Sequence, residues 1–237
     1  MPIPQGLDAI FVIHAASLAE RRQLIESQLA ALQLPHEFVL DFDIPAIPMA
    51  LRAHLIRTES LSPAQQSCAL KHWQAHVLAD QRGLQRVLVL EDDVILAPDF
   101  AAVLARVVKQ ALAIEEPHVV FLGCGGHYYV PAADLVPGQL LYRRNQGRFA
   151  DSYVIDRGAV RRRLEWIEAN GIARPIDHQF EAIDREVGNA MYWLEPPIVE
   201  QGSHNGRFAS TLATSHPLWF QALQFRWKKL WRRRSRA

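Results

Sequence analysis

The sequence predicts an α/β protein whose central, mainly parallel sheet is flanked by helices. Three runs dominated by apolar residues are typical of strands buried on both faces: 9–13 (AIFVI), 86–90 (RVLVL) and 118–122 (HVVFL). Segments with helical signals separate these runs, so strand and helix alternate through the first half of the chain. A β-α-β-α-β order is typical of parallel sheets that helices cover on both faces.

Capping signals predict where the helices begin. Ser17 with Glu20 has the form of a capping box, and Ser62 followed by Pro63 is a typical helix start. The predicted helices cover 17–32, 62–80, 99–114 and 158–170, with one more short helix after residue 175. Further short strands are predicted at 36–42, 140–143, 153–155 and 191–194.

Composition sets only broad limits on function. Of the 237 residues, 49% are hydrophobic and 22% are charged, which is ordinary for a globular protein of one large domain. Cys68 and Cys124 form no C-x-x-C pair and no disulfide framework. The first residues lack a basic stretch leading into an apolar run, so we expect no signal peptide and a cytoplasmic setting.

Charge is distributed unevenly along the chain. The formal net charge is +1, yet residues 1–200 hold 18 basic and 25 acidic side chains, whereas the last 37 residues hold eight basic and no acidic ones. We therefore predict one domain over 1–215 and a basic C-terminal tail over 216–237. A basic tail on an acidic domain indicates an anionic surface as the partner of the tail.

The tail has the pattern of an amphipathic helix. At helical spacing its large apolar residues share an arc of about 120°, and basic residues fill most of the rest. The apolar residues are Trp219, Phe220, Leu223, Trp227, Leu230 and Trp231. Tryptophan opposite basic residues is typical of a helix in a membrane interface, and we predict peripheral contact with the inner face of the cytoplasmic membrane. A docked helix, a disordered end and a nucleic-acid tail are the alternatives; the acidic domain disfavours nucleic acid, which we do not expect as a partner.

An acidic triplet, Glu91-Asp92-Asp93, directly follows the predicted strand over 86–90. Ligands of open α/β sheets bind beyond the carboxyl ends of the strands. Side chains alternate along an extended segment, which would direct Glu91 and Asp93 to one face and Asp92 to the other. Carboxylates suit Mg²⁺ or Mn²⁺, which can bridge phosphate oxygens, so the triplet indicates a metal–phosphate site. Solvated loop acids, or the cap of a following turn, are the alternative interpretation.

Six further segments follow one another along the chain: 10–22 (IFVIHAASLAERR), 61–73 (LSPAQQSCALKHW), 87–100 (VLVLEDDVILAPDF), 150–159 (ADSYVIDRGA), 175–180 (PIDHQF) and 196–203 (PPIVEQGS). In this order they resemble glycosyltransferase family 25, which holds bacterial lipooligosaccharide galactosyltransferases and sugar-transferring domains of collagen-modifying enzymes. The ordered set covers about 9–211 and is more specific than any one segment. The resemblance implies a GT-A-like fold that binds a nucleotide-diphosphate sugar, with a divalent metal on the diphosphate.

The resemblance also implies which residues meet the metal and the donor. The metal, Mn²⁺ or Mg²⁺, would be held by Asp93 as a direct ligand, by Glu91 in the first acidic position and by His204 after the last matching segment. The donor, expected to be a UDP-sugar, would be contacted by residues that match family positions near the first strand and the second helix. These donor-binding residues are Arg21, Arg22, His72 and Asp92.

Each of these assignments has a structural alternative. The arginine pair could form an exposed helical face, His72 could be a hydrogen-bonded helix histidine, and His204 could be a solvated loop residue. The sequence also departs from the family pattern at three positions. Ser67 replaces a usual glycine, Lys71 replaces a usual serine, and His14 follows the first strand where a small or amide residue is frequent.

The catalytic base implied by the resemblance is Asp177, in the segment Pro-Ile-Asp. Sugar transfer needs a carboxylate that takes the proton of the acceptor hydroxyl, and the family inverts stereochemistry, so the base would face the metal across the donor sugar. An Asp in this position would serve equally well as a helix N-cap. Asp151 and Glu200 are the other candidates for the base.

The function expected from the sequence is inverting transfer of a sugar, galactose from UDP-galactose by resemblance, onto a lipooligosaccharide or another surface glycan. The acceptor would be an oligosaccharide, free or carried on a lipid. A metal-dependent nucleotidyl- or phosphotransferase could use the same acidic strand end, but the segment after the first strand is not a glycine-rich phosphate loop. The third possibility is an inactive membrane-associated scaffold with the same fold.

Overall fold

The structure is a computed structural model that describes residues 3–125 and 128–202. The strands in these residues are β1 (Ala9–Ile13), β2 (Glu37–Val39), β3 (Arg86–Glu91), β4 (Val94–Leu96), β5 (His118–Phe121), β6 (Leu141–Arg144), β7 (Ser152–Asp156), β8 (Ala190–Leu194) and β9 (Val199–Gln201). The α-helices are α1 (Ala19–Ala31), α2 (Met49–Leu55), α3 (Pro63–Gln81), α4 (Phe100–Ala111), α5 (Arg157–Asn170) and α6 (Ile176–Val187). The predicted domain boundary, His204 and the tail all lie outside the described residues.

Seven strands form the central sheet in the order β2-β1-β3-β7-β5-β8-β6. Strands β1, β2 and β3 pair in parallel, as do β5 and β8. Strand β7 runs antiparallel between β3 and β5, and β6 pairs antiparallel with β8 at one edge. The predicted α/β class with a central sheet flanked by helices is confirmed, and five of these seven strands share one direction. The sheet is nevertheless mixed, because β6 and β7 run opposite to the other five strands.

Helices cover both faces of the sheet through two apolar layers. One layer joins α1 and α4 to side chains such as Val12, Leu88 and Val154. The other joins α2, α3, α5 and α6 to side chains such as Phe11 and Val89 on the opposite face of the same strands. The central strands therefore read as continuous apolar runs because both of their faces are buried. Among the described helices, none combines the length and hydropathy that crossing a bilayer requires.

The structure confirms one of the two predicted capping boxes and contradicts the other. At α3 the capping box is complete: Ser62 Oγ accepts from the amide of Gln65, and Gln65 Oε1 accepts from the amide of Ser62. At α1 the predicted capping box of Ser17 is wrong, since the helix begins at Ala19 and no side chain caps it. Residues 14–18 instead form a loop that crosses the carboxyl end of β1 and lines a cavity there.

The sequence patterns did not predict the small sheet formed by β4 and β9. Each strand has only three residues, and Val94 pairs with Gln201 at one end of the ladder. The amide of Gly202 donates to the carbonyl of Asp93 over 2.7 Å. The acidic triplet therefore lies in a tight turn between β3 and β4, which the chain after residue 198 holds in place.

Below pH 6.5, we expect the free energy of unfolding to fall partly because His76 must stay neutral in the fold. His76 is fully buried, stacks on Phe180 and lies 3.1 Å from the Tyr153 hydroxyl. Burial, with the nearby charge of Arg163, lowers the pKa of His76 well below its usual value. A histidine with a depressed folded pKa loses its stabilising contribution as pH falls through the range between the two pKa values.

The measurement is unfolding by denaturant between pH 7.5 and pH 4.5, pH values set by the usual histidine pKa of about 6.5. The pH slope of the free energy of unfolding should be shallower in His76→Gln than in the wild type, by up to about 1.4 kcal/mol per pH unit. His178→Gln, at an exposed position of α6, is the matched control and should keep the wild-type slope. Equal slopes in all three proteins would contradict the prediction.

Candidate active site

A cavity of about 290 Å³ opens at the carboxyl ends of β1 and β3. Because β1, β2 and β3 are parallel, their carboxyl ends meet at one edge of the sheet, where ligands of such sheets bind. The polar residues that line it come from the end of β3, from the loops that follow β1, β2 and β3, from the first turn of α1 and from the N-terminal half of α3. They are His14, Arg21, Asp43, Cys68, Lys71, Glu91 and Asp92, with Ser17 and Ser67.

Lys71 fixes the loop that forms one wall of the cavity. Its side chain is 2% exposed, and Nζ donates to the carbonyls of Leu40 and Asp41 over 2.8 and 2.7 Å. The same ammonium lies 2.9 Å from Oδ1 of Asp43, whose Oδ2 accepts from the amide of Ala16. The lysine that departs from the family pattern is therefore a buried, fully engaged structural cation that joins α3 to the loops after β1 and β2.

Asp92 and Asp93 share the guanidinium of Arg21. Arg21 Nη1 lies 3.3 Å from Asp92 Oδ1 and 3.7 Å from Asp93 Oδ2. Asp92 Oδ2 also lies 2.7 Å from Nδ1 of His14, which is buried directly after β1. Arg22 lies elsewhere: its guanidinium pairs with Glu26 and covers the ring of Phe38. Of the predicted arginine pair, the structure brings only Arg21 to the acidic triplet.

Glu91 faces α3 instead of Arg21. Its Oε1 lies 3.4 Å from Nε2 of His72 and 3.7 Å from Sγ of Cys68, and its Oε2 accepts from Gln201 Nε2 over 3.4 Å. The predicted alternation, with Glu91 and Asp93 on one face, is therefore wrong. Extended geometry ends at Glu91, and the turn into β4 carries Asp92 and Asp93 together towards Arg21.

Asp151 is the fourth carboxylate of the cluster, and it enters from β7. Its side chain is 3% exposed, its Oδ1 accepts from the hydroxyl of Ser152 over 2.7 Å, and its carbonyl accepts from the amide of Glu91. The antiparallel pairing of β7 with β3 places it beside the triplet. Sequence position alone gave no reason to put Asp151 next to Glu91, because 60 residues separate them.

Crowding of buried carboxylates raises the pKa values in this cluster. Burial raises the pKa of Glu91 well above its usual value, and the charges of Asp93, Asp177 and Asp92 raise it further. Burial likewise raises the pKa of Asp151, against a smaller opposite effect of the Ser152 hydroxyl. Carboxylates held together in this way favour a bound cation, because a positive charge removes the repulsion that keeps them protonated.

Asp177 belongs to the same electrostatic cluster and does not cap a helix. It lies in the first turn of α6, whose N-cap position is Pro175 without a side-chain hydrogen bond. Asp177 Oδ1 instead accepts from the amide of Ala150 over 2.7 Å, which ties α6 to the segment entering β7. Its negative charge acts on Glu91 and on Asp151. The cap alternative considered from the sequence is therefore not what this residue does.

His72 lies behind the cavity and does not line it. Its side chain has no exposed surface, its Nδ1 lies 3.0 Å from the Tyr153 hydroxyl, and burial lowers its pKa to about 3. His72 is therefore absent from the lining of the cavity, and its contact with the donor stays a prediction. The observed position agrees with the structural alternative given above, a hydrogen-bonded histidine within a helix.

The glycines after β5 make room for neighbouring atoms. A Cβ on Gly123 would lie 2.7 Å from Asp151 Oδ1, and one on Gly125 would collide with the amide nitrogen of Phe149. These glycines thus allow the chain to pass close to the acidic cluster.

Glu200, the other candidate base, lies in β9 opposite Ile95 of β4.

Sequence matches relate part of this chain to a family of glycosyltransferases. Residues 7–119 match the profile described as "Glycosyltransferase family 25 (LPS biosynthesis protein)". A "Glycosyltransferase 25 family member" from Drosophila pseudoobscura pseudoobscura is 29% identical over 130 residues, which cover 49% of this chain and 20% of the relative. Together the two matches show that about half of this chain is similar to glycosyltransferase family 25. The aligned region spans about a fifth of that relative's length.

Solved structures with a related fold include two glycosyltransferases. One, involved in the glycosylation of the major capsid of PBCV-1, is 10% identical with a TM-score of 0.44 and covers 93% of this chain and 100% of its own. GlyE from Streptococcus pneumoniae TIGR4 is also 10% identical with a TM-score of 0.44, at 98% and 64% coverage. A197 from STIV is 16% identical with a TM-score of 0.43, at 82% and 84% coverage. No residue role follows from similarity at this level.

Proposed function

We propose that the chain is a metal-dependent, inverting glycosyltransferase that moves galactose from UDP-galactose onto a lipooligosaccharide or another surface glycan. The observation that carries the proposal is the position of the acidic triplet. Glu91, Asp92 and Asp93 lie at the carboxyl end of β3, beside a 290 Å³ cavity and inside the region that matches the family profile. This is where an α/β fold binds a nucleotide and where its phosphates would meet a metal.

The residues of the triplet fit a hard divalent cation. Asp92 and Asp93 are 5% and 2% exposed, and the guanidinium of Arg21 offsets only part of their joint charge. Asp93 is our choice as direct ligand and Glu91 as a further one, because carboxylate oxygens suit Mn²⁺ or Mg²⁺. His204, a nitrogen donor, is our choice for the remaining protein ligand. When bound, such an ion would neutralise the negative charge that develops on the departing nucleotide diphosphate.

Arg21 is the side chain that we assign to the phosphates of the donor. It lines the cavity and reaches the triplet, so its forked donors stand between the nucleotide pocket and the metal ligands. Asp92 holds this arginine in place and would contact the donor through it. Arg22 has no such position.

Asp177 remains our choice for the general base. It is half-buried, whereas Asp151 is almost fully enclosed and uses Oδ1 to accept from Ser152. A base must come within hydrogen-bond reach of the acceptor hydroxyl, which favours the more accessible carboxylate. The amide of Ala150 fixes Asp177 Oδ1, and the geometry of α6 orients the group towards the cluster.

The experiment that tests the proposal is hydrolysis of a panel of nucleotide sugars with Mn²⁺, with and without EDTA, scored by nucleotide release. Slow, metal-dependent release of UDP from UDP-galactose is the expected result. Release from another sugar nucleotide would keep the class and correct the donor. Metal-dependent binding of UDP without turnover of any donor would favour an inactive scaffold, and absence of both would overturn the proposal.

For the tail we propose peripheral contact with the inner face of the cytoplasmic membrane, which would bring the site close to a lipid-linked acceptor. The basis is its sequence: three tryptophans opposite a run of basic residues. Each basic residue near anionic lipid contributes about 1 kcal/mol. The full chain should bind anionic vesicles and fail to bind neutral ones, and a chain ending at Pro217 should bind neither. Equal binding by the shortened chain would rule the tail out as the anchor.

A further inference from the structure

Three potential metal ligands, two of them softer than a carboxylate, converge at the wall of the cavity. Cys68 and His72 lie four residues apart on α3, so their side chains share one face of the helix. Glu91, at the end of β3, points its carboxylate at both of them. Among the described residues, the three ligand atoms lie within 4.8 Å of one another.

We propose that Cys68, His72 and Glu91 bind a thiophilic divalent cation such as Zn²⁺, with a fourth coordination position open to the cavity. Zinc–sulfur bonds of about 2.3 Å and zinc–nitrogen or zinc–oxygen bonds of about 2.0 Å give tetrahedral ligand separations of about 3.5 Å for sulfur–oxygen and 3.3 Å for nitrogen–oxygen. The corresponding distances here are 3.7 Å for Cys68–Glu91 and 3.4 Å for His72–Glu91. The ligand atoms therefore need to move by only a few tenths of an ångström along these two edges.

The hydrogen bonds behind His72 suit a metal ligand. The Tyr153 hydroxyl lies 3.0 Å from His72 Nδ1 and 3.1 Å from His76 Nε2. If His72 Nδ1–H donates to this hydroxyl and the hydroxyl donates to His76, the lone pair of His72 Nε2 faces Cys68 and Glu91. A second partner that fixes tautomer and ring orientation in this way is typical of metal-bound histidines. Binding of a cation at His72 Nε2 would therefore favour the arrangement in which His72 donates to Tyr153 and Tyr153 donates to His76.

Charge and access also favour a cation here. The carboxylates of Asp92, Asp93 and Asp177 act on Glu91, so the surroundings are predominantly negative. Cys68 and Glu91 both line the 290 Å³ cavity, which provides the path for an ion and the space for a water in the fourth position. An enclosed group with three protein ligands and one open position resembles zinc sites that can exchange a ligand.

Ligand chemistry separates this site from the one proposed for the donor. A thiolate and an imidazole select zinc and similar ions, whereas Mg²⁺ prefers oxygen donors. The inference goes beyond the proposed function and does not rest on it, because binding of the ion requires no sugar nucleotide and no turnover. Glu91 is the one residue that both proposed sites use.

The experiment is a titration of the full chain with Co²⁺, which reports tetrahedral coordination in the visible spectrum and thiolate coordination through a near-ultraviolet charge-transfer band. We expect one equivalent of Co²⁺ to produce both signals, Zn²⁺ to displace it, and excess Mg²⁺ to leave the spectrum unchanged. Cys68→Ser should abolish the charge-transfer band, and Glu91→Gln should weaken Co²⁺ binding by at least about 10-fold.

Cys124→Ser is the matched control, since Cys124 is the other cysteine of the chain and should leave the band intact. Circular dichroism of each variant separates loss of the site from loss of the fold. Absence of the band in the folded wild type, its survival in Cys68→Ser, or its removal by excess Mg²⁺ would each overturn the inference. The Glu91→Gln titration keeps the test decisive if Cys68→Ser does not fold.

Discussion

Replacing Arg163 with leucine should lower the free energy of unfolding by about 3–5 kcal/mol. Arg163 on α5 and Asp184 on α6 are both fully buried and joined by two hydrogen bonds of 2.9 and 2.6 Å. The guanidinium also lies 4.0 Å from the ring centroid of Phe180. Among the described residues, removing it leaves the buried Asp184 carboxylate with the side-chain amide of Asn189 as its remaining side-chain donor. An uncompensated buried charge is strongly destabilising.

The measurement is unfolding by denaturant, with two further variants as controls. Arg161→Leu changes an exposed arginine of the same helix and should cost at most about 1 kcal/mol. The double variant Arg163→Leu, Asp184→Leu removes both charges and should recover much of the loss. A cost below about 1 kcal/mol for the single Arg163→Leu variant would show that the pair contributes little. The same pair holds α6 against α5, and hence fixes the helix that carries Asp177.

Asp93→Asn should reduce kcat for metal-dependent transfer or donor hydrolysis by at least about 100-fold, since a bound metal supplies several kcal/mol of transition-state stabilisation and each 1.4 kcal/mol is a factor of ten. The amide keeps the shape of the side chain and removes its charge. Because the change is isosteric and the turn is anchored through the main chain, by the amide of Gly202 on the carbonyl of Asp93, the variant should keep the fold.

Asp99→Asn provides the matched control for Asp93→Asn. Asp99 is an exposed aspartate six residues further along, before α4, and its side chain makes no capping hydrogen bond. It should retain wild-type turnover and wild-type dependence on Mn²⁺. Full activity of Asp93→Asn would remove Asp93 from the metal site. Raised demand for Mn²⁺ with partly restored turnover in Asp93→Asn would support ligation directly.

Local sequence patterns determined most elements of the fold. The runs that became β1, β3 and β5 are apolar throughout because both faces of those strands are buried, a property that each strand shows on its own. Ser62 marked the start of a helix because capping depends on a few neighbouring residues. The acidic triplet was predicted as a site in the same way, because the sequence shows where the apolar run of β3 ends.

The orientation of the site residues depended on contacts that local patterns do not contain. Insertion of β7 between β3 and β5 brings Asp151 to Glu91, and three-residue strands such as β4 and β9 are too short to produce a periodic signal. The turn after Glu91, held by Gly202, separates Glu91 from Asp93 and overrides the alternation expected of a strand.

The sequence alone therefore determined the fold class, the elements that carry the site and the acidic residues at its centre. Tertiary structure decided which carboxylates meet, that Arg21 and not Arg22 reaches them, and that His72 faces Glu91 instead of the cavity. The physical reason is the distance along the chain over which each interaction acts. Capping, burial and side-chain periodicity act within a few residues, whereas the electrostatic environment of a carboxylate depends on groups brought together from distant parts of the chain.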